Sequence, residues 1–153
     1  MTPMKSLLLF AAMVVGIAPA ALAQVAPPSL GSCGGQTVTF KNVRVPQAVL
    51  ADGKPLAAGV YEVRITTDRP APAVGQSAAG ECWVEFLKEG SVAGREVASV
   101  IVPADIASVA KGPAPKPNSV RVDELKGGEH VRVWINSAGT HYLINLPVAP
   151  PHE

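Results

Sequence analysis

The chain has 153 residues, with 13 lysines and arginines against 12 aspartates and glutamates, and 48% of it is hydrophobic. That balance leaves no basic surplus for a nucleic-acid or anionic-membrane partner. Only two cysteines are present, Cys33 and Cys82; neither sits in a C-x-x-C pair or beside a histidine, which argues for one disulfide rather than a thiol site.

Residues 1–23 have the three parts of a secretory signal peptide. Lys5 is the positive region, Leu7 to Ile17 the apolar region, and Ala21-Leu22-Ala23 a small-x-small cleavage site, so the mature chain is expected to begin at Gln24. Cleavage removes one cation and no acid, which leaves 12 of each and a net charge near zero. Leu30-Gly31-Ser32-Cys33 resembles a lipobox, and the alternative to free export is a lipid anchor on Cys33. Against it, Cys33 lies well past the apolar region and lipidation would leave Cys82 unpaired. No later stretch reaches the ~18 uninterrupted apolar residues of a membrane helix, so a periplasmic or secreted protein without an integral membrane segment is expected.

Residues 24–35 (QVAPPSLGSCGG) read as a flexible leader. The predicted domain spans 36–147, followed by a tail over 148–153. Gln36 to Val45 is the first strand; Val38 and Phe40 share one parity and Val43 and Val45 the other, a slip that predicts a bulge near Lys41-Asn42. Pro46 to Lys54 reads as a turn-rich connection carrying Asp52-Gly53. In the next strand Tyr61, Val63 and Ile65 alternate with Glu62, Arg64 and Thr66. Its opening, LAAGVYEV, resembles the L-x-A-G-x-Y strand openings of small bacterial secreted β-sandwich proteins and of immunoglobulin-like and transthyretin-like modules. That resemblance implies a sandwich and no catalytic residue.

A proline-alanine-glycine loop over 68–80 leads into a hairpin. Cys82, Val84 and Phe86 alternate with Trp83, Glu85 and Leu87; Glu89-Gly90-Ser91 supplies the turn, and Val97 to Val102 is a β-branched run. In the second long loop, Ala104 to Ser119, Ile106 to Ala110 has room for a helical turn, and Pro113, Pro115 and Pro117 stop any continuation. Ser119–Leu125, His130–Asn136 and Thr140–Leu146 are three further strands, the last two joined across Asn136-Ser137-Ala138-Gly139. Seven short strands and no amphipathic helix predict an all-β domain, a single antiparallel β-sandwich. A small closed β-barrel is the alternative that periodicity cannot distinguish.

The chemistry-bearing residues are sparse. His130 and His141 could face one another across the last hairpin as a surface metal site, with Asp123 or Glu129 assisting; two solvated strand histidines are the simpler reading, and no cofactor or metal is expected. A blue-copper set lacks its methionine, since all three methionines precede Gln24. There is no G-x-S-x-G elbow, and Glu62, Glu85 and Glu96 alternate with apolar residues as solvated charges do. Trp83 and Trp134 take the outward parity with Glu85, Arg132 and His141. On one sheet these five would form an aromatic surface for a sugar, a peptide or a protein; the competing reading is that the 104–119 loop covers the tryptophans. The expected role is therefore a non-catalytic exported module for binding or structural interaction with a protein, peptide or glycan. A periplasmic metal-binder and a small hydrolytic enzyme are the alternatives.

Overall fold

The computed structural model describes residues 33–75, 80–110 and 112–151. The expected signal peptide, its cleavage site, most of the leader and His152 lie outside these residues. Among these described residues are nine strands: β1 (Val38–Val45), β2 (Val49–Ala51), β3 (Lys54–Leu56), β4 (Gly59–Ile65), β5 (Glu81–Lys88), β6 (Ser91–Ile101), β7 (Ser119–Glu124), β8 (His130–Ser137) and β9 (Thr140–Pro147). Between β6 and β7, a 3-10 turn (Pro103–Asp105) runs into one helical turn, α1 (Ile106–Val109).

The expected all-β class holds. Seven strands form a single sheet in the order β1-β4-β5-β6-β9-β8-β7, each pairing antiparallel, and β2 and β3 form a separate hairpin. The large sheet curls until its edge strands β1 and β7 lie side by side, so of the two architectures the chain takes the barrel-like one. The inward parity of every strand meets in one core, built around Phe40, Val63, Val84, Phe86, Val133 and Ile144. Burying each such side chain stabilises the fold by ~1.5–3 kcal/mol before entropy is counted.

The predicted bulge is present. Phe40 pairs with Val63 and Val43 with Tyr61, so Lys41 and Asn42 together oppose Glu62, and Asn42 takes φ +59°. The extra residue returns Val43 and Val45 to the interior that Phe40 already faces. Tyr61 at the start of β4 meets Phe86 edge-on at 6.2 Å and donates to the Ala57 carbonyl at 2.6 Å.

The connection after β1 carries more structure than expected. Asp52-Gly53 is a two-residue turn with both φ values positive, +49° and +72°, the geometry that closes a hairpin between right-twisted strands. The β2–β3 hairpin puts Val49, Ala51 and Leu56 into the core, at the end where β1 finishes and β6 begins. Gly94 admits it: a Cβ there would lie 3.2 Å from both Ala51 Cβ and Leu56 Cδ1. At the opposite end, Cys33 is bonded to Cys82, Cα atoms 5.6 Å apart, and this fastens the chain entering β1 to the first turn of β5.

Candidate functional site

Trp83, Glu85, Arg132, Trp134 and His141 all take the outward parity expected of them, but they do not share a surface. β6 and β9 separate β5 from β8, so three strand spacings, roughly 14 Å across the sheet, and a two-residue offset along it lie between Trp83 and Trp134. Trp83 is half-buried, with the Arg95 guanidinium 4.1 Å from its ring centroid. Glu85 is held by Arg64, Nε at 2.7 Å and Nη2 at 2.5 Å. These groups are paired with one another.

Trp134 is fully buried, which rules it out of an exposed aromatic patch. The turn over 103–110 folds onto the outer face of β8 and β9, and Ile101, Ile106, Ala110 and Leu143 close around the indole in a second small core. Inside it, Trp134 Nε1 donates to His141 Nδ1 at 2.9 Å. Burial lowers the His141 pKa below its ordinary value, because the charged imidazolium loses solvent. The proline-rich stretch that follows is fixed by side chains: Asn136 Nδ2 donates to the Pro115 carbonyl at 2.9 Å and Arg121 Nη1 to that of Pro113 at 2.6 Å. Arg121 also reaches Asp123 Oδ1 at 2.8 Å, while Arg132 lies 3.9 Å from Asp123 Oδ2 and 5.6 Å from the Trp134 ring centroid. Of the two readings of the tryptophans, loop coverage describes Trp134.

The two histidines do not meet. The turn falls at Ala138-Gly139, so His141 pairs with Asn136 beside it and His130 pairs with Pro147 at the far end of the hairpin. Six residue-to-residue steps along each strand separate those pairs, which amounts to ~20 Å. His141 is buried and its Nδ1 is occupied, and no cluster of three candidate metal ligands occurs among the described residues.

A groove lies elsewhere, along the seam between β1 and β7. It encloses about 860 Å³ and is lined by β1 from Val38 through Arg44 and by Asn118, Ser119, Val120 and Val122 at the start of β7. Phe40 and Val43 form its buried floor, Val120 and Val122 its half-buried wall, and Val38, 36% exposed, stands at its mouth. Its charged lining residues are Lys41 and Arg44, with no carboxylate among the lining side chains. Lys41 has only a loose exposed contact to Glu62 at 3.8 Å, and Arg44 forms no ion pair among the described residues. Among the described residues β1 is hydrogen-bonded only to β4 and β7 only to β8, so each turns a row of backbone N–H and C=O groups without a described ladder partner toward the seam.

The seam was not legible in the sequence, although each half carried a signal: the bulge with Lys41, and the alternation of Val120 and Val122. Nothing along the chain says that the first and last strands of the sheet become neighbours. The fold is thus an incompletely closed antiparallel β-barrel with a disulfide and a corking hairpin, and its candidate site is the β1–β7 seam of that barrel. No protein-family profile matches the chain, and neither any curated protein nor any solved structure shows significant similarity to it.

Proposed function

We propose that the protein is an exported, non-catalytic binding module that recognises its partner along the β1–β7 seam. The observation that carries this reading is the coincidence of this groove with two strand edges that have no ladder partner among the described residues. An edge offers directional main-chain hydrogen bonds, and an apolar floor offers burial, the two contributions by which sheets recognise extended segments. The groove lining contains no histidine, cysteine or carboxylate, so the side chains most used for acid–base work are not found there. The Cys33–Cys82 disulfide suits an oxidising compartment, no helix among the described residues is long and apolar enough to cross a membrane, and the sequence of residues 1–23 supplies the export route. A disulfide on Cys33 also leaves that thiol unable to carry a lipid.

The test is photo-crosslinking in the exporting host with a benzophenone side chain at Val38 or, as a control, at Val92, which is 50% exposed on β6. Adducts formed from Val38 and not from Val92 are expected. Equal labelling at the two positions, or none at Val38, would overturn the seam as the recognition surface.

A further inference from the structure

The strand count gives the seam a direction. Starting from β1, six successive antiparallel pairings reach β7, so the two edges run parallel to each other. An odd number of strands cannot close with antiparallel ladders throughout. Direct closure would need a parallel pairing, which is slightly weaker per residue, and β1 and β7 do not form one. One further strand running opposite to both edges would complete an even, fully antiparallel barrel and satisfy both rows of free backbone groups.

We propose, resting on the binding reading above, that the seam takes an extended acidic segment of a partner protein as an inserted strand antiparallel to both β1 and β7. Charge selects the sign: Lys41 and Arg44 are the charged groups of the lining and both are cationic. Alternate residues of the guest would meet the floor formed by Phe40 and Val43, and the intervening ones would face outward beside the two cations. A strand between two others needs roughly 9.5 Å between its neighbours, whereas β1 and β7 approach to within 8 Å. Entry therefore parts the edges by a few ångströms, and no ladder hydrogen bond between them has to break. The cationic edge and its bulge work against two other occupants. A second copy pairing through β1 would bring like charges together, and the sequence of residues 24–32 is uncharged and contains Pro27-Pro28, which cannot donate to a ladder.

The experiment uses the disulfide-bonded mature chain and three fluorescein-labelled peptides: alternating valine and glutamate, alternating valine and lysine, and the glutamate peptide with alternate amides N-methylated. Anisotropy should show binding of the glutamate peptide, at least about tenfold weaker binding of the lysine peptide, and loss of binding on N-methylation. The double variant Lys41→Glu/Arg44→Glu, with its melting temperature checked against the parent, should reverse the order of the first two peptides. A nitroxide on the N-terminus of the glutamate peptide should broaden amide signals near Val45 rather than near Val38, which reports the antiparallel direction. No binding, equal binding of the two charged peptides, an order indifferent to charge reversal, or broadening near Val38 would each overturn the proposal. So would concentration-dependent self-association that the double variant abolishes, since the occupant would then be a second copy. If Val38 crosslinks a partner and no peptide binds, the strand-insertion proposal falls while the binding module stands; if Val38 crosslinks nothing, both fall.

Discussion

Two parts of the barrel surface begin alike and end differently. The outer face of β8 and β9 carries Trp134, Leu143 and His141, and the β1–β7 seam carries Val38, Phe40, Val120 and Val122. The first is covered: the 103–110 turn closes over the indole, the indole bonds His141, and Asn136 and Arg121 tie down the following prolines. The second has unpaired backbone, an exposed valine and two little-engaged cations. The chain spends its longest described loop on hiding the Trp134 face and leaves the β1–β7 edges adjacent but without a ladder between them. What separates the two regions is whether another part of the same chain already covers the apolar surface and satisfies the polar groups beside it.

The contrast can be broken most severely at the disulfide. Cys33→Ser frees a loop of 49 residues in sequence separation and should cost about 4 kcal/mol in the chain-entropy model, read from urea denaturation. Because the bond anchors the chain entering β1, hydrogen exchange should rise more in β1 than in β8 and β9. An even rise across the sheet would show that the seam does not depend on this tie.

Trp134→Phe tests the covered face. It removes the indole N–H, leaves His141 Nδ1 buried without its donor, and opens a void, for an expected loss of about 2 kcal/mol. A change below about 0.5 kcal/mol would mean that the bond contributes little. Gly94→Val should cost about 1–3 kcal/mol by forcing β6 away from Ala51 and Leu56, with thermal denaturation as the readout.

Acidification should weaken the covered face selectively. The unfolded imidazole takes up its proton near pH ~6.5, while burial holds the folded His141 below that value. Between the two, the unfolded state binds more protons, so the stability present above pH ~6.5 declines as pH falls toward the folded pKa. His141→Gln should flatten that part of the profile. A melting temperature with the same pH dependence in parent and variant would remove His141 from the explanation. The smallest effect belongs to the seam: Val38→Thr should shift stability by no more than about 0.5 kcal/mol, as at an exposed position, yet reduce partner crosslinking nearby.

Much of the fold was readable from the residues. The alternations at Tyr61–Ile65, Cys82–Phe86 and Val131–Ile135 marked strands and their inward faces, and the parity slip at Lys41-Asn42 marked the bulge. The cysteine pairing and the helical turn near Ile106 were also legible. The β2–β3 hairpin is not legible in the sequence, because three residues on each side of Asp52-Gly53, one of them Pro55, are too short for a periodic signal. The first half of β6 was obscured by Ala93 and Gly94, which look like breakers until the hairpin packed against Gly94 is seen. On the outer face of β8 and β9, parity placed Trp134 and His141 outward correctly and could not show that the 103–110 turn would seal them in.

The sequence by itself determined the all-β class, the strand faces and the pairing of the two cysteines, because each depends on local period or on elimination among a few residues. Only the tertiary structure decided that one sheet rolls up on itself, that its first and last strands meet in parallel, and that the indole is covered while the seam stays open. Those outcomes depend on which distant strands become neighbours, and neither a two-residue period nor a turn motif carries that information.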